Sequence, residues 1–253
     1  MTNFTLKRRL RRALANYRGS IYELNQLVEA FEMNGYDYCI IGGFVRSIYL
    51  GKNPRDIDII VDILPEDLDR IIAHYNPPHE KNNFGSYKIN GKFDITNKPI
   101  DIDVWTLRNH SPFKTFKKNG LKTGWKQLPD SAWISIDGAT WLPRKNKVYA
   151  KNLKRTIKKN EISFINYDLF KGPVDNKYII VSKLVENCQF YDLDENCWRA
   201  MDTYFTKHPN NSSLIKILKE KNEDDMTEEE INNHINYLRV MVPELTKKYD
   251  RVS

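Results

Sequence analysis

Asp56 and Asp58, separated by Ile57 and leading into Ile59-Ile60-Val61, are carboxylates of a type and spacing that can do chemistry. Side chains alternate along a strand, so the pair shares one face, with Cα atoms roughly 6.6 Å apart at about 3.3 Å rise per residue. Such a pair repels unless a cation lies between, and hard oxygen donors with no His or Cys cluster nearby favour magnesium or manganese. A solvated edge strand can carry the same Asp-x-Asp without binding anything, so the pair is read with what precedes it. Tyr38 to Ile41 is a short apolar run ending in Gly42-Gly43, after which Phe44, Val45, Ile48 and Tyr49 recur at helical spacing up to Gly51. A glycine pair lets backbone approach a ligand closely. The helix behind it directs unpaired N–H groups and a positive dipole end at the same spot, which suits a phosphate. Arg46, one turn inside, adds charge.

Together these residues predict strand, glycine turn, short helix, turn, strand over residues 36–62. A second acidic strand lies downstream in Ile100-Asp101-Ile102-Asp103-Val104-Trp105-Thr106-Leu107-Arg108, where Asp101 and Asp103 again share a face.

Gly42-Gly43-Phe44-Val45-Arg46 followed by Arg55-Asp56-Ile57-Asp58-Ile59 resembles the head domain of the CCA-adding enzyme and bacterial poly(A) polymerase family, a branch of the polymerase-beta-like nucleotidyltransferases. That pattern is Gly-Gly-x-Val-Arg-Asp, a short helix ending in Leu-Gly, a basic residue and Asp-x-Asp; Ser47 stands where the family carries Asp. The resemblance implies that Asp56 and Asp58 bridge two metal ions, one on the acceptor and one on the triphosphate, and that a third carboxylate completes the acceptor side. Asp103-Val104-Trp105-Thr106-Leu107-Arg108 is similar to the family's third-carboxylate strand, which favours Asp103, with Asp101 as runner-up on the same face. Gly42, Gly43, Arg46 and Arg55 are the expected nucleotide-binding residues. Ile134 to Trp141 resembles the family's Phe-Thr-Ile-Asn-Ala-x-Ala-Tyr strand, but the Arg-Arg-Asp that precedes it there is missing before Trp133. Glu195-Asn196-Cys197-Trp198-Arg199 resembles the family's base-reading Glu-Asp-x-x-Arg, with Asn in the Asp place; an ordinary ion pair is the other reading of such a helical spacing.

The 253 residues suffice for one large domain or two small ones, and 40% hydrophobic with 29% charged residues is a globular composition. Neither an apolar run long enough to span a bilayer nor a signal-peptide core is present, so the sequence predicts a cytoplasmic protein with no membrane partner. Cys39, Cys188 and Cys197 lack Cys-x-x-Cys spacing and read as reduced core thiols. A net charge of +7 favours a polyanionic partner.

Residues 5–18 read as a basic amphipathic helix, with Lys7, Arg8, Arg9, Arg11, Arg12 and Arg18 among Leu6, Leu10, Leu14 and Tyr17; it either tracks an RNA backbone or packs by its leucines. Residues 21–34 form a second helix, and Pro65 opens a third that Pro77-Pro78 ends. Asn90-Gly91 predicts a hairpin between Tyr87–Ile89 and Lys92–Ile95. Residues 109–130 read as a lysine loop carrying Phe113, Phe116 and Trp125, residue types that hold single strands. Trp133–Leu142 and Lys147–Ala150 read as two strands. From Asn176 onward the pattern is helical, with a Thr227-x-x-Glu230 capping box and Pro243 kinking the last helix or starting another.

The predicted fold is an α/β (α+β) head with a mixed central sheet over residues 1–155, followed by a small all-helical neck-like domain over 156–253 that closes a cleft. The resemblance implies a metal-dependent, template-independent nucleotidyltransferase that moves a nucleoside monophosphate from a nucleoside triphosphate, ATP among them, to a hydroxyl, with Mg2+ or Mn2+ as cofactor. The expected acceptor is the 3′ end of an RNA, tRNA or another structured RNA, although the long body and tail that grip tRNA in CCA-adding enzymes are largely absent. The alternatives are a small-molecule or protein acceptor, or a non-catalytic binding module of the same fold.

Overall fold

A computed structural model describes residues 1–94, 98–166, 177–221 and 227–250. The chain divides into two compact units, Met1–Ala132 with Asp137–Leu153, and Trp133–Ile136 with Lys154–Ser253.

The first unit is built on a seven-stranded mixed sheet of order β3-β4-β5-β2-β1-β6-β7. Its strands are β1 Tyr38–Ile41, β2 Asp56–Val61, β3 His79–Lys81, β4 Tyr87–Lys92, β5 Pro99–Thr106, β6 Thr140–Leu142 and β7 Lys147–Tyr149. Only β2 and β5 run parallel; every other neighbouring pair is antiparallel. One face is apolar over the central strands: Tyr38, Ile40, Ile57, Ile59, Val61, Ile89, Ile102 and Val104 are all buried. Four helices accompany these strands, α1 Asn3–Arg18, α2 Tyr22–Met33, α3 Gly43–Leu50 and α4 Pro65–Tyr75. Thr2 caps α1 by accepting from the Thr5 N–H at 3.2 Å, and Leu6, Leu10 and Leu14 form its buried stripe. Each such leucine contributes about 1.5–3 kcal/mol relative to an exposed one. Pro65 opens α4, where an N–H would lack a partner anyway, and Asn76 in left-handed conformation ends it.

Three local expectations are corrected. Asn90-Gly91 is not a turn: β4 runs straight through it, with Asn90 opposite Asp101 and Gly91 opposite Ile100. The glycine serves packing, since a Cβ there would lie 3.0 Å from Ile21 Cγ2 and 3.1 Å from Ile102 Cδ1. The chain reverses instead beyond Phe93, whose N–H bonds the Lys98 carbonyl at 3.0 Å; Ile95, the end of the expected second strand, lies outside the described residues. The lysine loop is largely helical, with α5 Ser111–Lys118 and a 3-10 segment Trp125–Ser131. Of the strand expected from Trp133, only Thr140–Leu142 is extended, preceded by a 3-10 turn Ser135–Asp137 and an isolated bridge from Ile134 to Phe164.

Helix α6, Lys151–Lys159, follows β7 and went unread in the sequence because its apolar stripe is only Leu153 and Ile157, with Thr156 buried beside them. The second unit holds the helices Lys177–Asn187, Glu195–Lys207, Ser212–Lys221 and Glu228–Asp250, with a two-residue parallel ladder between Glu161–Ile162 and Asp192–Leu193. Asn176, where helix was expected to begin, lies outside the described residues. The capping box is formed: the Thr227 N–H donates to Glu230 at 2.7 Å and the Glu230 N–H to Thr227 Oγ1 at 3.2 Å. The last helix passes through Pro243 without a break. All three cysteines are free, and burial pushes the Cys188 thiol up to about 11, which makes it a packing group rather than a nucleophile.

Candidate active site

Strands β2 and β5 lie side by side in parallel register, Asp56 opposite Asp101 and Asp58 opposite Asp103. Register partners point to the same side of a sheet, so the four carboxylates share the face opposite the apolar one. Alternation fixes this: Ile57, Ile59, Ile102 and Val104 are fully buried on the other side, and a one-residue slip would exchange the two sets.

The glycine turn abuts these carboxylates. Gly42, at φ 58° and ψ −121°, caps the N-terminus of α3 in a conformation that side chains disfavour. A Cβ on Gly42 would lie 3.7 Å from Asp58 Oδ2, and one on Gly43 would lie 2.9 Å from Asp56 Oδ1, closer than real contacts allow. The first turn of α3 therefore meets the acidic pair at backbone distance. Arg46 lines the same turn, its Nη2 3.9 Å from that hypothetical Gly43 Cβ, and donates through Nη1 to the carboxylate of Asp137, which is 9% exposed. In the sequence Asp137 stood out only as part of the Ile134–Trp141 resemblance, because nothing local marks a residue far along the chain as the partner of this arginine. Arg55 is exposed immediately before β2.

Asp103 is half-buried, and desolvation raises its pKa; Lys88 pulls it down, while Asp101 and Asp56 push it up again. Lys88, directly opposite Asp103 on β4, bonds Asp101 Oδ2 at 2.8 Å. It too was missed, because only the strand pairing brings it here.

Further along the strands the same face becomes apolar. Ile60 and Cys39 pack with Phe113, Phe116, Leu128 and Leu142 in one buried cluster, with Trp105 and Trp125 against it. Phe113 and Phe116 are 5% and 7% exposed, so they are core residues rather than platforms for stacking bases. A hydrogen-bond chain fastens this cover. The Trp105 indole donates to His110 Nδ1 at 3.2 Å, which leaves the ring proton on Nε2 to donate to Ser131 Oγ at 2.7 Å, and the hydroxyl donates to the Leu128 carbonyl at 2.7 Å. Burial pushes His110 down to about 4, keeping it neutral.

Arg8, Arg9, Arg11 and Arg12 are exposed on α1, and no salt bridge holds any of them among the described residues. Arg18 differs, bonding Asn25 at 3.0 Å and Glu32 at 2.9 Å. In the second unit, Arg199 donates to Glu195 at 2.7 Å, the ordinary helical ion pair.

Among the described residues no three His, Cys, Asp or Glu side chains converge closely enough to hold a metal ion by themselves. Magnesium usually takes one or two carboxylates and completes its shell with substrate phosphates and water. Asp56 and Asp58 fit that role, as hard donors beside a turn that a single Cβ would obstruct.

Residues 38–132 match the model of the poly A polymerase head domain. Over 88 residues the chain is 26% identical to the CC-adding tRNA nucleotidyltransferase of Halalkalibacterium halodurans, covering 34% of this chain and 20% of that protein. Over 51 residues it is 33% identical to a CCA-adding enzyme of Staphylococcus aureus, covering 20% and 13%. Among solved structures, the Thermotoga maritima CCA-adding enzyme complexed with tRNA superposes with a TM-score of 0.60 at 16% identity, covering 91% of this chain and 54% of that one. A CCA-adding enzyme bound to CTP gives 0.58 at 18% identity, covering 91% and 55%. The chain thus spans about half the length of these structural neighbours. No helix among the described residues is long and apolar enough to cross a membrane. The mixed seven-stranded sheet followed by C-terminal helices is the fold of these CCA-adding enzyme structures, and residues 38–132 are the part of the chain that is similar to the poly A polymerase head domain.

Proposed function

We propose that this chain is a nucleotidyltransferase that joins a nucleoside monophosphate from a nucleoside triphosphate to a hydroxyl at an RNA 3′ end. One observation carries the reading: the parallel register that sets Asp56 and Asp58 beside Asp101 and Asp103, with the backbone of Gly43 so close to Asp56 that a Cβ there would displace the carboxylate.

In this mechanism Asp56 and Asp58 are the residues that would hold magnesium, which when bound would neutralise triphosphate charge and acidify the acceptor hydroxyl. The N–H groups at the start of α3 meet the phosphates, with Arg46 held alongside by Asp137. Asp103, with its raised pKa, takes the hydroxyl proton as the acceptor oxygen bonds the α-phosphorus. The bond from that phosphorus to the bridging oxygen of the β-phosphate breaks, and pyrophosphate leaves.

The RNA acceptor is favoured by the four exposed arginines of α1 and by the names of the relatives, which act on tRNA. Phe113 and Phe116 are buried away from any stacking role and Trp125 is partly buried against them, so backbone charge is the main support for RNA. The test is incubation of the protein with magnesium, each nucleoside triphosphate labelled at the α-phosphate, and total cellular RNA, protein and small-molecule extracts in separate reactions. Label in RNA is the expected result. Label only in protein or in small molecules would replace the acceptor, and no label in any fraction would remove the activity.

A further inference from the structure

We infer that Lys88 is a positioning residue that holds Asp101 away from the metal site of Asp56 and Asp58 and thereby leaves Asp103 as the third carboxylate, the one that takes the hydroxyl proton. The inference rests on the nucleotidyltransferase reading and deepens it. The acidic face is ordered in two rows across three strands: Asp56, Asp101 and Asn90 in one, Asp58, Asp103 and Lys88 in the next. Asp101 and Asp103 are chemically equivalent, lie on the same face and each stand beside one member of the Asp56–Asp58 pair. Nothing in strand geometry chooses between them. Lys88 makes the choice. Its backbone is opposite Asp103, yet its ammonium reaches diagonally to Asp101 Oδ2 at 2.8 Å.

The pair is half-exposed, with side-chain exposures of 46% and 45%. Ion pairs at that exposure add little to stability, so its consequence lies in the charge it places on this face. An ammonium bound to Asp101 cancels a carboxylate that would otherwise compete for the cation. The same ammonium, released, lies between two further carboxylates, Asp103 on β5 and Glu80 on β3, and Asp103 acts on it the more strongly of the two. Removing Asp101 should therefore damage the site indirectly, by freeing Lys88 to occupy Asp103, and the damage should vanish when Lys88 is removed as well.

The test uses Mn2+ binding to the metal-free protein, followed by electron paramagnetic resonance, with turnover measured in parallel. Asp101→Asn should weaken Mn2+ binding by about five- to tenfold through the relocated charge. Lys88→Met/Asp101→Asn should return to within about twofold of wild type, because the two changes cancel in charge and leave Asp103 unoccupied by the ammonium. A double variant as weak as Asp101→Asn would overturn the inference, since Asp101 would then be a ligand in its own right. So would an Asp101→Asn variant that binds like wild type. Asp58→Asn, run beside these, separates the two levels: if it too binds Mn2+ like wild type, it is the metal-site reading that fails, whatever Lys88 does.

Discussion

Asp58 and Asp103 stand directly opposite each other on the parallel strands β2 and β5, on the face opposite Ile57, Ile59, Ile102 and Val104. Chain segments more than forty residues apart are thereby made to present acids at one place. If Asp103 accepts the acceptor's proton, Asp103→Asn should keep the fold and lower kcat by about 10²–10⁴. Steady-state kinetics with a thermal unfolding curve check this; full activity in the variant would move the third-carboxylate role elsewhere.

Gly43→Ala separates stability from function. Alanine at a helical glycine ordinarily stabilises by about 0.4–1 kcal/mol through the unfolded chain. Here its Cβ would meet Asp56 Oδ1 at 2.9 Å, so the carboxylate must move. The expected outcome is an unfolding midpoint within a few degrees of wild type and at least about tenfold lower turnover, on the scale that small misplacements of reacting groups cost. Unchanged turnover would show that Asp56 does not need its present position.

Changing Arg8, Arg9, Arg11 and Arg12 to Gln should flatten the slope of log RNA affinity against log salt by about three to four units if each neutralises one phosphate. The loss should be alike for every RNA sequence, because such contacts do not read bases. Leu6, Leu10 and Leu14, which fasten the helix, are untouched. An unchanged slope would make α1 a brace and would shift weight to an acceptor other than RNA.

His110 gives a pH dependence with a defined sign. Its folded-state pKa, about 4, lies below the ordinary 6.5, so the unfolded chain binds the extra proton between those values. Stability from this group is complete above pH 6.5 and is lost as pH falls toward 4. Between pH 7 and 5 the wild type should lose about 2 kcal/mol more than His110→Gln, from 1.36 kcal/mol per pKa unit. Urea unfolding of both proteins at the two pH values measures it, and parallel losses would contradict the buried neutral imidazole.

Much of the site was legible because its signals are local. The strand, glycine turn, helix and Asp-x-Asp strand follow from apolar periodicity and from what glycine permits, and β1, α3 and β2 lie where that reading put them. What was illegible depended on pairing. Asn90-Gly91 reads as a turn in isolation, yet Ile21 and Ile102 need a residue without a side chain at Gly91 in mid-strand. Phe113 and Phe116 among lysines look like a surface loop until Ile60 and Leu128 are packed against them. Lys88 carries no motif, and Asp137 was read only as part of the Ile134–Trp141 resemblance; each acquires its role only when the sheet or the glycine turn brings an opposite charge within bonding distance.

The most direct measurement of the central claim is transfer of an α-labelled nucleoside monophosphate to RNA by wild type and by Asp58→Asn, at saturating magnesium and matched folded fraction. Removing one of the two proposed metal donors while keeping the shape of the side chain should lower the rate by about a hundred- to a thousandfold, the scale of a lost electrostatic contribution to the transition state. Label transferred by the variant at the wild-type rate would contradict the account.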